Sequence, residues 1–240
     1  MEITNVEISG VASAIVASGY AMRLDINNCK QEIEHLSKVI SEGLDMNDTD
    51  KKHIDRLLRL GTQKAGSGHR SLLKGITVSA DFNRTQCIDH QMQRYNFFQY
   101  ITGQSTMHRV TKMRLAEMCH ERTSAASIDI AQGLVDFYNK YDSLLDKQFS
   151  ETLILAESTA LGVPYPKSKA QLFESVCYSL PQGLQLTVRA VTNYECLLNM
   201  YYQRRHHKMS EWKVFCDWVY SLPLMKDLIS AMDKKNKNKV

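Results

Sequence analysis

The chain has 240 residues, enough for one generous domain or two small ones. Its 43% hydrophobic and 23% charged residues are ordinary for a water-soluble globular protein, and a net charge of +4 is too mild for a protein that coats nucleic acid. The 6 cysteines contain no Cys-x-x-Cys pair and no zinc-finger spacing, which excludes a zinc ribbon and argues for reduced, inert thiols.

The N-terminus lacks a basic stretch leading into an apolar core, so no signal peptide is expected. The apolar stretch Val11 to Met22 is broken by Ser and Gly and falls well short of the ~20 residues that span a bilayer. The expected location is the cytoplasm.

Ile3, Val6 and Ile8 open a short extended segment. Residues 10–24 are rich in Ala, Ile, Val and Met and read as a helix packed on most of its surface. Asn28 caps a second helix with Ile33, Leu36, Ile40 and Leu44 on one face, and Asp48 opens a third that ends near Gly61. Gly66-Ser67-Gly68-His69 reads as a loop. Ile76, Val78 and Ala80 alternate with polar residues and predict a strand.

The pattern over 84–100 predicts a helix. Residues 105–111 read as a short strand or an extended loop, and 113–118 as a helix. Phe137, Tyr138, Tyr141, Leu144, Leu145 and Phe149 stand at helical spacing, and another helix runs from about Glu151 to Gly162. Leu180-Pro181-Gln182-Gly183 is a turn before a second alternating strand, Leu186 to Val191. Asn193 begins a helix rich in Leu, Met and Tyr. Ser210 begins a last one with Trp212, Phe215, Trp218 and Val219, which must stop before Pro223. The strands are too few for a doubly wound sheet. The expected class is α+β, a mostly helical single domain over 1–233 with a small β-sheet, followed by a basic flexible tail over 234–240.

Three segments carry a resemblance. Gly68-His69-Arg70-Ser71-Leu72-Leu73 has a Gly-His-x-Ser start before a strand. His90-Gln91-Met92-Gln93-Arg94-Tyr95-Asn96 has His-Gln, two residues, then Arg. Asn193 and Arg204 lie eleven residues apart on a helix that precedes a Trp-bearing one. In this order, over about residues 66–220, they resemble the flavin-dependent thymidylate synthases. With Ser105-Thr106-Met107-His108 they are similar to a divergent, phage-associated branch of that superfamily.

The resemblance implies a nucleotide site built from Arg204, Asn193, Arg109 and Ser105, to which the basic run after the helix adds Arg205. It also implies a cofactor site for FAD built from His69, Ser71, His90, Gln91, Arg94 and Tyr95. It further implies a homotetramer whose sites are shared between subunits, no metal, and methylenetetrahydrofolate as carbon donor for methylation or hydroxymethylation of dUMP or dCMP.

The departures bear on the cofactor. Tyr95 and Asn96 stand where the family has His and a second Arg, which removes up to two cationic donors from a pyrophosphate site. Charge-assisted hydrogen bonds are each worth roughly 1.5–3 kcal/mol, so the loss weakens flavin binding by about two to four powers of ten. Binding without chemistry tolerates such erosion. The alternative function is therefore a phage protein that sequesters a nucleotide signal, cyclic ones included, to block host defence.

From the residues themselves, the run Arg204-Arg205-His206-His207-Lys208 follows a helix end. It reads either as compensation of the helix dipole or as a phosphate clamp. Tyr95, Phe97, Phe98 and Tyr100 read as core packing or as a stacking wall for a base.

Overall fold

A computed structural model describes residues 1–237 of the chain. Four strands are present among them: β1 (Glu2–Ser9), β2 (Thr77–Thr85), β3 (Gln99–Gly103) and β4 (Gln185–Asn193). The first six α-helices are α1 (Val11–Ala17), α2 (Cys29–Glu42), α3 (Asp48–Gly61), α4 (Gln86–Met92), α5 (Thr106–Arg109) and α6 (Leu115–Met118). They are followed by α7 (Ala125–Leu145), α8 (Ser150–Leu161), α9 (Lys169–Tyr178), α10 (Tyr194–Arg204), α11 (Ser210–Ser221) and α12 (Met225–Lys237). Short 3-10 segments include Gly68–Gly75, directly before β2. The class is α+β, mostly helical, with one small antiparallel sheet in the order β1-β2-β4-β3.

Two compact units divide the chain. Among the described residues, unit 1 comprises 1–82, 92–102 and 189–237, and unit 2 comprises 83–91 and 103–188.

In unit 1 the core gathers around aromatic residues. Phe82 meets the rings of Phe98 and Trp218 edge-on at 5.0 and 5.4 Å, and Trp212 meets Phe215 at 5.4 Å. All but Trp218 are buried, and such pairs add roughly 0.5–1.5 kcal/mol beyond their buried area. In unit 2, α7 supplies Leu134, Val135, Phe137 and Tyr141 to a cluster with Leu172 and Val176 of α9 and Ile154 of α8.

Several expectations are met by identifiable local chemistry. Asn47 caps α3: its Oδ1 accepts from the amides of Thr49 and Asp50 at 2.8 and 2.9 Å, while Asp50 returns the bond to the Asn47 amide at 3.0 Å. The turn before β4 closes with Leu184 N donating to Pro181 O at 2.9 Å.

Other stretches differ from expectation. The helix expected over 84–100 is strand to Thr85, helix only over Gln86–Met92, and strand again from Gln99. Phe82 and Arg84 continue the inward alternation of β2, and turns closed by Tyr95 N to Met92 O and Phe98 N to Tyr95 O end the helix. Residues 106–112 are helical, not extended, because the Ser105 hydroxyl accepts from His108 N. Leu44 lies past the end of α2, which Gly43 terminates with φ 67°, and it is exposed. Helices α9 and α12 have no counterpart in the expectations, which end the helices before Pro223. Helix α12 reaches into the expected tail, where Lys235 Nζ donates to Thr62 O at 3.1 Å; residues 238–240 lie outside the described residues.

The N-terminal helices of unit 1 enclose a charged cluster. Arg23 grips Glu32 with both nitrogens at 2.9 and 2.5 Å, His53 Nε2 stands 3.2 Å from Glu32, and Arg56 donates to His53 Nδ1. A Cβ on Gly19 would lie 2.2 Å from the Arg56 guanidinium, so any larger residue there would have to displace that side chain. Burial first, and the charge of Arg56 second, hold the His53 pKa below its ordinary value.

The unfolded chain therefore accepts a proton that the folded chain refuses. This contribution to stability is complete above about pH 6.5 and is lost as pH falls below it toward the depressed folded value. His207, depressed in the same direction, adds to the slope. The melting temperature should fall between about pH 7 and 5. His53→Gln should flatten part of that slope in differential scanning calorimetry, and an unchanged slope would contradict the assignment.

Candidate functional site

Helix α10 starts where the Asn193 side chain accepts from Cys196 N at 2.9 Å. One side of the helix is apolar and buried: Tyr194, Leu197, Leu198 and Met200. Glu195, Asn199 and Gln203 recur every four residues and so share another face. Opposite them stands Arg70, in the 3-10 segment before β2, with only 4% of its surface exposed. Its Nε donates to Glu195 Oε2 at 2.7 Å and its Nη2 to Asn199 Oδ1 at 3.1 Å. A buried ion pair of this kind stands only because each charge finds its partner and its hydrogen bonds.

This pair floors a cavity of about 330 Å³ within unit 1. Lys74 and Arg94 line it from the surface, both exposed and both without a hydrogen-bond or ion-pair partner among the described residues. Phe97, 54% exposed, adds an aromatic face. The Ser67 hydroxyl lines it too and is buried with no partner among the described residues. Tyr95 forms a wall whose hydroxyl donates to Gln203 Oε1 at 3.0 Å and accepts from Arg204 Nε at 2.8 Å. Cys196 lines the cavity as well, but burial pushes its thiol pKa up, so it offers no thiolate.

Of the expected cofactor residues, Arg94, Tyr95 and Ser71 lie at this cavity; the Ser71 hydroxyl is turned back onto Gly68 O at 2.5 Å. His69 is exposed and does not line it. His90 and Gln91 belong to unit 2, His90 exposed and Gln91 bonded to Cys87 O at 3.4 Å.

Of the expected nucleotide residues, Asn193 is a helix cap. Arg204 is half-buried, with its guanidinium 4.5 Å from the Trp212 ring centre, and supports Tyr95. Arg205 pairs with Asp233 at 3.1 Å and stacks on Tyr202 at 4.6 Å. Ser105 and Arg109 lie in unit 2. There Arg109 lines a second cavity of about 310 Å³ with Lys112 and Arg114, and its Nη1 is buried without a hydrogen-bond partner among the described residues. Arg70, Lys74, Glu195, Asn199 and Gln203 were not singled out from the sequence. The i, i+4, i+8 polar row on α10 is the signal that finds three of them.

No family model matches the sequence, and no curated protein matches it. Solved structures do. Two crystal structures of thymidylate synthase X (ThyX) from Helicobacter pylori with FAD and dUMP share 12% identity with this chain. Each covers 97% of this chain and 99% of the other, with TM-scores of 0.58 and 0.59. The UMP/dUMP methylase PolB from Streptomyces cacaoi, bound with 5-Br dUMP, also shares 12% identity. It covers 96% of this chain and 95% of its own, at TM-score 0.50.

The chain has the fold of the flavin-dependent thymidylate synthases.

The two ThyX structures hold FAD, and the residues of this chain test whether such a group fits here. Where the family motif places His and a second Arg, Tyr95 is engaged with Gln203 and Arg204, and Asn96 carries no charge. The cavity lies at the small end of the ~300–1,000 Å³ range of small-molecule sites. Within one chain, these residues do not complete a site for a flavin dinucleotide. Among the described residues no group of His, Cys, Asp and Glu is arranged to hold a metal ion. No helix among them is long and apolar enough to cross a membrane.

Arg70→Leu should cost roughly 3–5 kcal/mol in urea unfolding, because it strands the Glu195 carboxylate. Arg70→Leu with Glu195→Leu should cost clearly less than the sum of the two single changes. Additive costs would show that the pair is not coupled.

Proposed function

We propose that this chain binds a phosphorylated pyrimidine deoxynucleotide in the unit 1 cavity. The observation that carries the reading is the pair of exposed, unpartnered cations, Lys74 and Arg94, at a cavity that also holds an exposed aromatic ring and a row of fixed polar groups. Guanidinium and ammonium groups of this kind bind phosphate oxygens. Phe97 offers a stacking face worth roughly 1–3 kcal/mol per base. The orphaned Ser67 hydroxyl supplies a donor, and a buried hydroxyl ordinarily has a partner. The shared fold supports the reading, since the ThyX and PolB structures hold dUMP or a bromo derivative of it.

Two activities follow from such a site. Methyl or hydroxymethyl transfer to dUMP or dCMP needs reduced flavin and methylenetetrahydrofolate. Retention of a nucleotide without chemistry needs neither, and would suit a phage protein that holds a nucleotide signal, cyclic ones included, away from its receptor. The engaged Tyr95 and uncharged Asn96 favour retention. Soaking the purified protein with FAD separates the two: retention predicts no bound absorbance at ~450 nm after desalting, and a stable yellow protein would favour transfer.

A saturating nucleotide, at 100 times its Kd, should stabilise the protein by roughly 2.7 kcal/mol. Arg94→Ala and Lys74→Ala should each weaken nucleotide binding by about tenfold or more, since each removes a charged hydrogen bond. Both side chains are exposed, so unfolding without ligand should be unchanged. Unaltered affinity in the double variant would refute the placement of the phosphate.

A further inference from the structure

The polar row on α10 has an order. Glu195, Asn199 and Gln203 all line the unit 1 cavity, and each has one half of its polar group already committed. Glu195 Oε2 is held by Arg70 Nε, which leaves Oε1, an acceptor. Asn199 Oδ1 is held by Arg70 Nη2. A guanidinium only donates, so the amide cannot be turned round and Nδ2, a donor, is left over. Arg204 Nε donates to the Tyr95 oxygen, and the Tyr95 proton goes to Gln203 Oε1. That leaves Gln203 Nε2, again a donor. No further partner of Asn199 or Gln203 exists among the described residues.

The row therefore reads acceptor, donor, donor. Glu195 and Asn199 are tied to two nitrogens of one guanidinium, and Gln203 follows one turn on. A ligand edge that satisfies all three reads donor, acceptor, acceptor. Among pyrimidines this is cytosine, with its exocyclic amine, ring N3 and O2, and a carboxylate is the side chain that accepts from that amine. Uracil reads acceptor, donor, acceptor. Shifted by one place it satisfies Glu195 and Asn199 and leaves Gln203 without a partner.

We propose that the α10 row makes the cavity selective for an amino-bearing pyrimidine nucleotide, a cytidine-type monophosphate in preference to a uridine-type one. Glu195 accepts from the exocyclic amine, and Asn199 and Gln203 donate to N3 and O2. The proposal rests on the nucleotide reading above. Its preference is opposite to the dUMP held by the ThyX structures of the same fold. Arg70, Tyr95 and Arg204 act as positioning residues, because they fix which half of each amide or carboxylate faces the ligand.

Isothermal titration with dCMP and dUMP tests it on the full chain. The native protein should bind dCMP about tenfold more tightly, the worth of one hydrogen bond. Glu195→Gln keeps an oxygen for Arg70 and turns an NH2 to the ligand, so acceptor becomes donor and the dCMP preference should vanish or reverse. Asn199→Asp also keeps an oxygen for Arg70; it should weaken dCMP at least tenfold, and serves if the first variant fails to fold. Equal or tighter binding of dUMP by the native protein would overturn the selectivity while leaving the nucleotide site standing. An unchanged preference in a folded Glu195→Gln protein would overturn the role of Glu195. Binding of neither nucleotide would overturn the nucleotide reading and this inference with it.

Discussion

Arg70 is buried in unit 1, and an arginine side chain stays charged, so the fold must place an anion against it. That anion, Glu195, lies 125 residues away in the chain. The pair joins the 3-10 segment before β2 to helix α10 and sets the cavity floor. The same guanidinium also takes the Asn199 oxygen, which decides how that amide faces the cavity. Most of the polar character of the site thus follows from satisfying one charge. The cavity's other cations, Lys74 and Arg94, have no such partner among the described residues.

A second constraint runs from Arg204 through Tyr95 to Gln203. Arg204 sits against the Trp212 ring and the Tyr95 hydroxyl, so its charge is stabilised inside unit 1. Tyrosine at position 95 allows this link, because a phenol accepts from the guanidinium and still has a proton for the glutamine. At the same residue the chain departs from the flavin motif that its sequence resembles, and Tyr95 forms a fixed wall of the cavity.

The sequence showed the outline of the fold because local chemistry determines much of it. The alternation at Val78 and Ala80, the Asn193 cap and the stop before Pro223 each depend on neighbours within a few residues. The apolar spacing over 84–100 suits a helix, whereas Arg84 continues a strand and two turns interrupt the chain before Gln99. The cavity was only half legible. Arg94 and Tyr95 lie in a recognisable motif. Arg70 lies in one too, but its partners are set by tertiary contact and leave no trace in spacing. The motif spacing points to Arg204 and Asn193 as nucleotide ligands, whereas the structure engages them as a support for Tyr95 and a helix cap.

A nucleotide bound over the Arg70–Glu195 pair would be visible in a crystal structure of the protein grown with dCMP. Phosphate density should then lie within hydrogen-bond distance of Arg94 and Lys74, with the base along Glu195 and Asn199. Nucleotide density confined to the surroundings of Arg109 in unit 2, with the unit 1 cavity holding only water, would contradict this placement.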